Sequence, residues 1–275
     1  MRIAIENQIE FGYSTPATYA IQHLRVWPHT SNVQRVQRWS VSVGRQDRFP
    51  EFNDCFGNTV LEATQSDPHE AVRINIAGLV DTYPSDGIFS ARDEPLPLLY
   101  YLSETDLTGS DDNVLDLATA VRTASLKERI DGLHRLMAEV GKTLTYALDE
   151  DDDDTVTAGQ ALARTSGAAR EHAHVFIACA RSLEIPARYV TGYRLQEDDD
   201  EGPVEPAYAW AEAWVDTLGW VGFDPVHQVC PADSYVRVAC GVDYLAAAPI
   251  RRSQRGGGEE TTTSTVVVNQ VQAQQ

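Results

Sequence analysis

The chain has no apolar run approaching the roughly 18 residues that a bilayer span requires, and its start, Met1-Arg2-Ile3-Ala4-Ile5-Glu6, lacks the apolar segment of a secretory signal. No membrane association is expected, and the expected location is cytoplasmic. Positive charge is scarce: 22 Lys and Arg stand against 41 Asp and Glu, a formal charge of -19. Such a surface repels phosphate backbones and anionic lipid, so nucleic acid is not an expected partner either. None of the four cysteines, Cys55, Cys179, Cys230 and Cys240, has CxxC spacing, which removes the common zinc and redox motifs. They are expected as free, buried thiols. The acidic runs 149–154 and 197–201 lack the spaced Asp/Asn/Gly pattern of a calcium loop and read as solvated loops. No metal and no cofactor are expected.

What is present suffices for one large domain or two modest ones: 275 residues, 43% hydrophobic. Ile3, Ile5 and Ile9 share a parity, as do Trp39, Val41 and Val43, and Val72, Ile74 and Ile76. Period two over short runs predicts half-buried strands. Ser14-Thr15-Pro16, Pro28-His29-Thr30 and Phe56-Gly57-Asn58 are the expected turns between them. Pro84, Gly87, Pro95 and Pro97 mark an expected linker. Beyond it the period becomes helical. Leu126, Ile130, Leu133, Met137, Val140, Leu144 and Leu148 step by three or four, predicting a helix of about six turns. A shorter helix is expected over 113–123, capped by Asp111 or Asp112, and another from Ala168 to Arg181 with Pro186 beyond its end. Strands are expected at 187–194, 207–215 and 220–223, with Asp216-Thr217-Leu218-Gly219 as a hairpin turn. A short strand at 237–240 and a β-branched one at 261–268 complete the pattern.

Three separated motifs give this framework a chemical meaning. Gly167-Ala168-Ala169-Arg170-Glu171-His172-Ala173-His174 leads through an apolar helix to Ile185-Pro186-Ala187-Arg188-Tyr189-Val190-Thr191-Gly192-Tyr193. Tyr208-Ala209-Trp210-Ala211-Glu212 and Gly219-Trp220-Val221-Gly222-Phe223-Asp224-Pro225 follow in order. Together they resemble the core of the transglutaminase-like superfamily, papain-like thiol proteins. Leu24-Arg25-Val26-Trp27-Pro28 and Asp54-Cys55-Phe56-Gly57-Asn58 resemble the β-rich region that precedes this core in bacterial members. The resemblance implies an α+β fold, an N-terminal antiparallel β-sandwich-like domain followed by a papain-like core of helices packed on an antiparallel sheet. The expected division is 1–90, 91–250 and a C-terminal strand and tail, 251–275, packing on the N-terminal domain.

The family's chemistry uses a cysteine thiolate at a helix N-terminus, where the macrodipole favours the anion. A histidine on a facing strand shuttles the proton and an aspartate orients it. By position these are Ala169, Tyr208 and Asp224 here. A methyl group cannot attack a carbonyl, and a phenol with a reference pKa of about 10 is a poor base near neutrality. The resemblance therefore implies a degenerate triad and a pseudoenzyme. Cys179, Ser166, His172 and His174 offer no evident replacement, and His227 is the best remaining imidazole although its position suits an exposed loop. Strand parity puts Tyr208, Trp210, Glu212 and Trp214 on one face. With Arg170, Glu171 and Asp224, that face is a candidate peptide-binding cleft. Trp214 suits core packing, and Arg170 and Glu171 can pair with each other or with Glu212. Two functional classes follow. One is a binding or scaffolding subunit, a homo-oligomer or a complex with an active homologue, an ATP-grasp or an alpha-E type protein. The other is a thiol peptidase, amidase or transamidase acting on peptide or isopeptide amides with relocated catalytic groups. A thiol or hydroxyl at the cleft mouth, paired with an imidazole, would overturn the inactive reading.

Overall fold

The computed structural model describes residues 1–90, 95–121, 129–148, 155–196 and 205–271. Both acidic runs lie outside the described residues.

The N-terminal part is built on one long strand, β1 (Arg2–Trp27), with β2 (Gln34–Val43), β3 (Glu51–Asn53), β4 (Thr59–Gln65) and β5 (His69–Thr82). Ser14-Thr15-Pro16, expected as a turn between strands, is instead an exposed bend within β1, where the pairing register shifts between Gly12 and Ala17. The first half of β1 pairs with β5, and the second half pairs with β4. The sheet curls at this bend, because one apolar cluster takes Ile9, Phe11, Val41 and Ile74 from one half and Leu24, Val26, Leu61 and Ala63 from the other. A sandwich thus forms from a continuous antiparallel sheet.

The core follows as β6 (Ile88–Phe89), α1 (Asp112–Val121), α2 (Arg129–Thr143), β7 (Thr145–Tyr146), α3 (Ala158–Arg164), β8 (Ser166–Gly167), α4 (Ala169–Ser182), β9 (Ala187–Arg194), β10 (Tyr208–Val215), β11 (Gly219–Phe223), β12 (Tyr235–Gly241) and α5 (Tyr244–Ala247). The proline-containing segment expected as a linker contributes an edge strand instead: β6 pairs with β11 in a sheet ordered β12-β9-β10-β11-β6. The amide of Val114 is capped by Asp111 Oδ1 at 3.0 Å, which starts α1. α2 is shorter than its apolar period implies. It stops at Thr143, and Leu148 is exposed, because the chain leaves the helix to pair Thr145 and Tyr146 with Ser166 and Gly167. Local periodicity does not register such a long-range pairing.

α4 is buried on nearly all sides, from Ala169 to Arg181, and the polar side chains of Glu171, His172, His174 and Arg181 are buried with it. It packs on the face of β10 that carries Ala209, Ala211 and Ala213, whose small side chains let the helix approach closely. Phe176 stacks on Phe223 at 5.0 Å across that contact. Glu184, at φ 60, and Pro186 end the helix. Finally the chain returns to the N-terminal sheet. β13 (Ile250–Gly256) and β14 (Glu260–Gln270) pair with the second and first halves of β1, joined by Gly256, Gly257 and Gly258, all at positive φ.

The two parts share a third apolar cluster, with Ile3, Ile5 and Val80 against Tyr193, Val236 and Val238. Two buried amides complete the joint. Gln34 and Asn58 each accept from and donate to the backbone of β12, at Arg237 and Cys240, with all four distances between 2.7 and 2.9 Å. Side chains thereby stand in for a neighbouring strand.

Candidate functional site

Helix α4 delivers Ala169 to the site at its first turn, with the methyl 1% exposed. The two amides that begin this turn face carboxylates of the chain itself. Glu171 Oε2 accepts the Ala168 N–H at 2.9 Å, and Glu205 Oε1 accepts the Ala169 N–H at 3.3 Å. A helix N-terminus attracts negative charge; here it is met by glutamate rather than by a thiolate. Tyr146, brought over by the β7–β8 pairing, donates its hydroxyl to Glu205 Oε1 at 2.8 Å. Burial raises the Glu205 carboxyl to about 7, against the pull of these two hydrogen bonds. Glu205 was not singled out in the sequence; its only signal there is its place three residues before Tyr208.

A second cluster gathers on Asp224, which is fully buried. Its Oδ2 accepts from Tyr208 at 2.8 Å and Tyr235 at 2.7 Å, and lies 3.1 Å from His227 Nδ1. Its Oδ1 accepts the Val226 amide at 2.9 Å. Burial opposes ionisation, but His227, Tyr235 and Tyr208 outweigh it and hold the carboxyl below the ordinary range. His227 is therefore not a loose loop residue. Its imidazole rests on Asp224, placed there by the turn after β11 rather than by a strand. Tyr208 Oη lies 2.8 Å from His227 Nδ1, so a hydroxyl does meet an imidazole. That hydroxyl is buried, however, and burial followed by the Asp224 charge pushes its pKa far above the ordinary phenol range. It serves as a hydrogen-bond donor, not a nucleophile at a cleft mouth.

The remaining sequence candidates separate. Tyr208, Trp210, Glu212 and Trp214 do share one face of β10, but that face is packed. Glu212, 2% exposed, is clamped by Arg188 Nε at 2.6 Å and Arg237 Nε at 2.9 Å. Trp210 sits edge-on to Tyr235 at 5.5 Å, and Trp214 edge-on to Trp220 at 5.5 Å. The Trp210 indole covers Gly192, where an added Cβ would lie 2.1 Å from the Val236 carbonyl oxygen and 2.8 Å from the ring. Trp210 and Glu212 are structural because the neighbouring strands supply their partners, which parity alone cannot show. Arg170 pairs with Glu171 at 2.8 Å and lies over the Tyr244 ring at 4.8 Å. His172 Nδ1 lies 2.8 Å from the Ala168 carbonyl oxygen and its Nε2 3.3 Å from that of Leu144, and His174 Nε2 accepts the Tyr244 amide at 3.0 Å. Burial lowers both imidazoles, His174 to about 3. Burial likewise pushes the Cys179 thiol up to about 12 and Cys230 up to about 11, which leaves them protonated and inert.

A cleft of about 940 Å³ separates the two parts of the molecule. Arg170, Glu171 and Glu205 line its core wall, and Asn7, Phe11 and Arg252 its sheet wall. Trp210, Glu212 and His227 do not line it.

Comparison with known proteins agrees with this architecture. Residues 116–225 match the family model of the transglutaminase-like superfamily, and residues 3–81 that of the bacterial transglutaminase-like N-terminal region. An uncharacterized protein of Mycobacterium leprae is 25% identical over 271 residues, 91% of this chain and 92% of that one. A protein-glutamine gamma-glutamyltransferase of Pseudomonas aeruginosa is 33% identical over 98 residues, 31% of this chain and 14% of that one. A crystal structure of a candidate cysteine protease from Cytophaga hutchinsonii superimposes with a TM-score of 0.77 at 20% identity, over 100% of this chain and 92% of that one. The chain belongs to the transglutaminase-like superfamily, with a sandwich-like N-terminal sheet ahead of a papain-like core.

Proposed function

We propose that this chain is a non-catalytic transglutaminase-like protein, a binding or scaffolding subunit that holds a peptide segment in its cleft without forming a thioester. One observation carries the reading: at the head of α4 stands a methyl group whose amide is engaged by the chain's own Glu205 carboxylate. A thioester needs a sulfur there and a free amide for the developing oxyanion. The partner best suited to such a subunit is a related active enzyme or a second copy of the chain.

The second reading, an amidase or transamidase with relocated groups, draws on His227, whose imidazole remains on Asp224. One experiment separates the two. The wild-type chain is incubated with a fluorescent amine donor and a glutamine-rich acceptor protein, and with a thiol-directed probe. No incorporation is expected. Incorporation abolished by His227→Ala would sink the non-catalytic reading.

The geometry also bears on restoring the thiol. In Ala169→Cys with Tyr208→His, the new sulfur lies beside the Glu205 carboxylate, which disfavours a thiolate. Adding Glu205→Gln is expected to raise the alkylation rate near neutral pH by about tenfold, the effect of roughly one unit of thiol pKa. A folded triple variant labelled no faster at this position than at the exposed Cys55 would mean that the pocket no longer supports the thiolate.

A further inference from the structure

The sheets of this molecule close their edges with care, except along one strand. On the N-terminal sheet, β2 carries exposed Arg35 and Arg38 and a register shift between Val36 and Arg38. β3 is three residues long. β13 carries exposed Arg251 and Arg255. On the core sheet, β12 is occupied by the Gln34 and Asn58 side chains, and β6 has two residues. Charge, bulges, shortness and side-chain cover are the usual defences against edge-to-edge pairing.

β14 has none of them beyond Glu260, which pairs with Arg252. It pairs with β1 in eleven unbroken steps, from Tyr13↔Glu260 to Ile3↔Gln270, and among the described residues its other edge pairs with nothing. From Thr261 to Gln270 it has no charged residue, proline or glycine. Val266 and Val268 pack inward against the joint between the two parts. Thr261, Thr263, Thr265 and Val267 face outward and are exposed. β-Branched residues on a solvent face keep the strand extended without contributing to a core. The result is an uncharged edge roughly 33 Å long at about 3.3 Å per residue.

We propose that β14 is the seam of a homodimer, in which two copies pair antiparallel about a two-fold axis and join their N-terminal sheets. The occupant follows from charge and symmetry. Each chain carries -19, so two copies repel at most contacts, and this edge offers the approach with least repulsion. An antiparallel strand meeting itself is self-complementary under a two-fold. Centred on Thr265, the pairing sets Thr263 against Val267 and Glu260 against Gln270, so no acid faces an acid. Glu260, Thr262 and Ser264 of β14 also line the cleft, so the seam borders it. The seam specifies the second copy named above as a partner, and a monomer would remove it without touching the amine-incorporation test.

Sedimentation equilibrium of the full chain across concentration and salt tests it. A dimer is expected, tighter at higher salt as the mutual repulsion is screened. Thr265→Lys sets two ammonium groups against each other at the axis, and Val267→Lys adds charge elsewhere along the seam. Thr265→Lys is expected to weaken the dimer at least about tenfold, since like charges opposed across strands destabilise the pair. Val267→Lys, which faces Thr263, is expected to weaken it less, by removing an apolar cross-strand contact, with circular dichroism unchanged in both. Alternate amides of 261–269 should exchange slowly in the wild-type chain and rapidly in the variants. A wild-type monomer at all concentrations, or a dimer that keeps its affinity and amide protection in both variants, overturns the proposal.

Discussion

Glu205 and Glu212 lie seven residues apart, one ahead of β10 and the other within it, and they end in opposite electrostatic states. Burial opposes the charge of both. At Glu212 the guanidinium groups of Arg237 and Arg188 overcome that cost, and the carboxyl is held below the ordinary range. Arg188 in turn lies on the face of Trp220, 4.0 Å from the ring centroid, which settles the cation further. At Glu205 the hydrogen-bond partners are a neutral phenol and a neutral amide. They lower the carboxyl less than burial raises it, and it rises to about 7. A helix N-terminus and two hydrogen bonds are thus a weaker hold on a buried negative charge than two arginines. That difference separates the carboxylate clamped within β10 from the one at the head of α4.

The largest test of the contrast is Glu212→Gln, which leaves two buried guanidinium groups without their carboxylate. A loss of about 3–5 kcal/mol in urea unfolding is expected, and a loss under about 1 kcal/mol, the scale of an exposed pair, would show that the clamp is not structural. Next is Glu205→Gln, read against pH. The folded-state pKa of Glu205 lies above its ordinary value of 4.5, so the folded chain holds this proton more tightly between those values. Its contribution to stability is complete at low pH and is lost as pH rises through about 7. The variant should match the wild type near pH 5 and exceed it above pH 7 by on the order of 1–2 kcal/mol, discounted because Glu205 is only partly buried. The difference between the two curves is the quantity to follow. His174, lowered to about 3 by burial, contributes the opposite slope in both chains, since its stabilisation is lost as pH falls below its ordinary value of 6.5. A pH-independent difference would mean that Glu205 is ionised throughout. The smallest expected effect concerns a neutral polar group. Gln22 is 1% exposed, and neither its Oε1 nor its Nε2 has a hydrogen-bond partner among the described residues. Gln22→Leu should stabilise the chain by about 1 kcal/mol; a destabilised variant would place a water-mediated partner on the amide.

Much of the core was legible because its signals are local. The period of β9, the alternation of β10, the hairpin turn into β11 and the break at Pro186 are written within a dozen residues of where they act. Elements defined by distant pairing were not. β1 continues through Ser14-Thr15-Pro16 because it is paired before and after the tripeptide and the Ser14 and Thr15 amides donate to the Glu259 and Gly257 carbonyls, although the tripeptide alone reads as a turn. α2 ends early because 145–146 is claimed by 166–167. At the site, motif order located Ala169, Tyr208 and Asp224. It could not show that His227 shares the carboxylate of Asp224, that Glu205 meets the Ala169 amide, or that Glu212 is enclosed by arginines from two different strands.

By itself the sequence determined the identity of the atoms: a methyl at Ala169 and a phenol at Tyr208, carried on a recognisable succession of strands and helices. Only the tertiary structure decided which carboxylates meet cations and which meet neutral donors, and therefore which of them are charged. Alternation and helical period are properties of neighbouring residues, whereas ionisation in a protein interior depends on groups brought from anywhere along the chain.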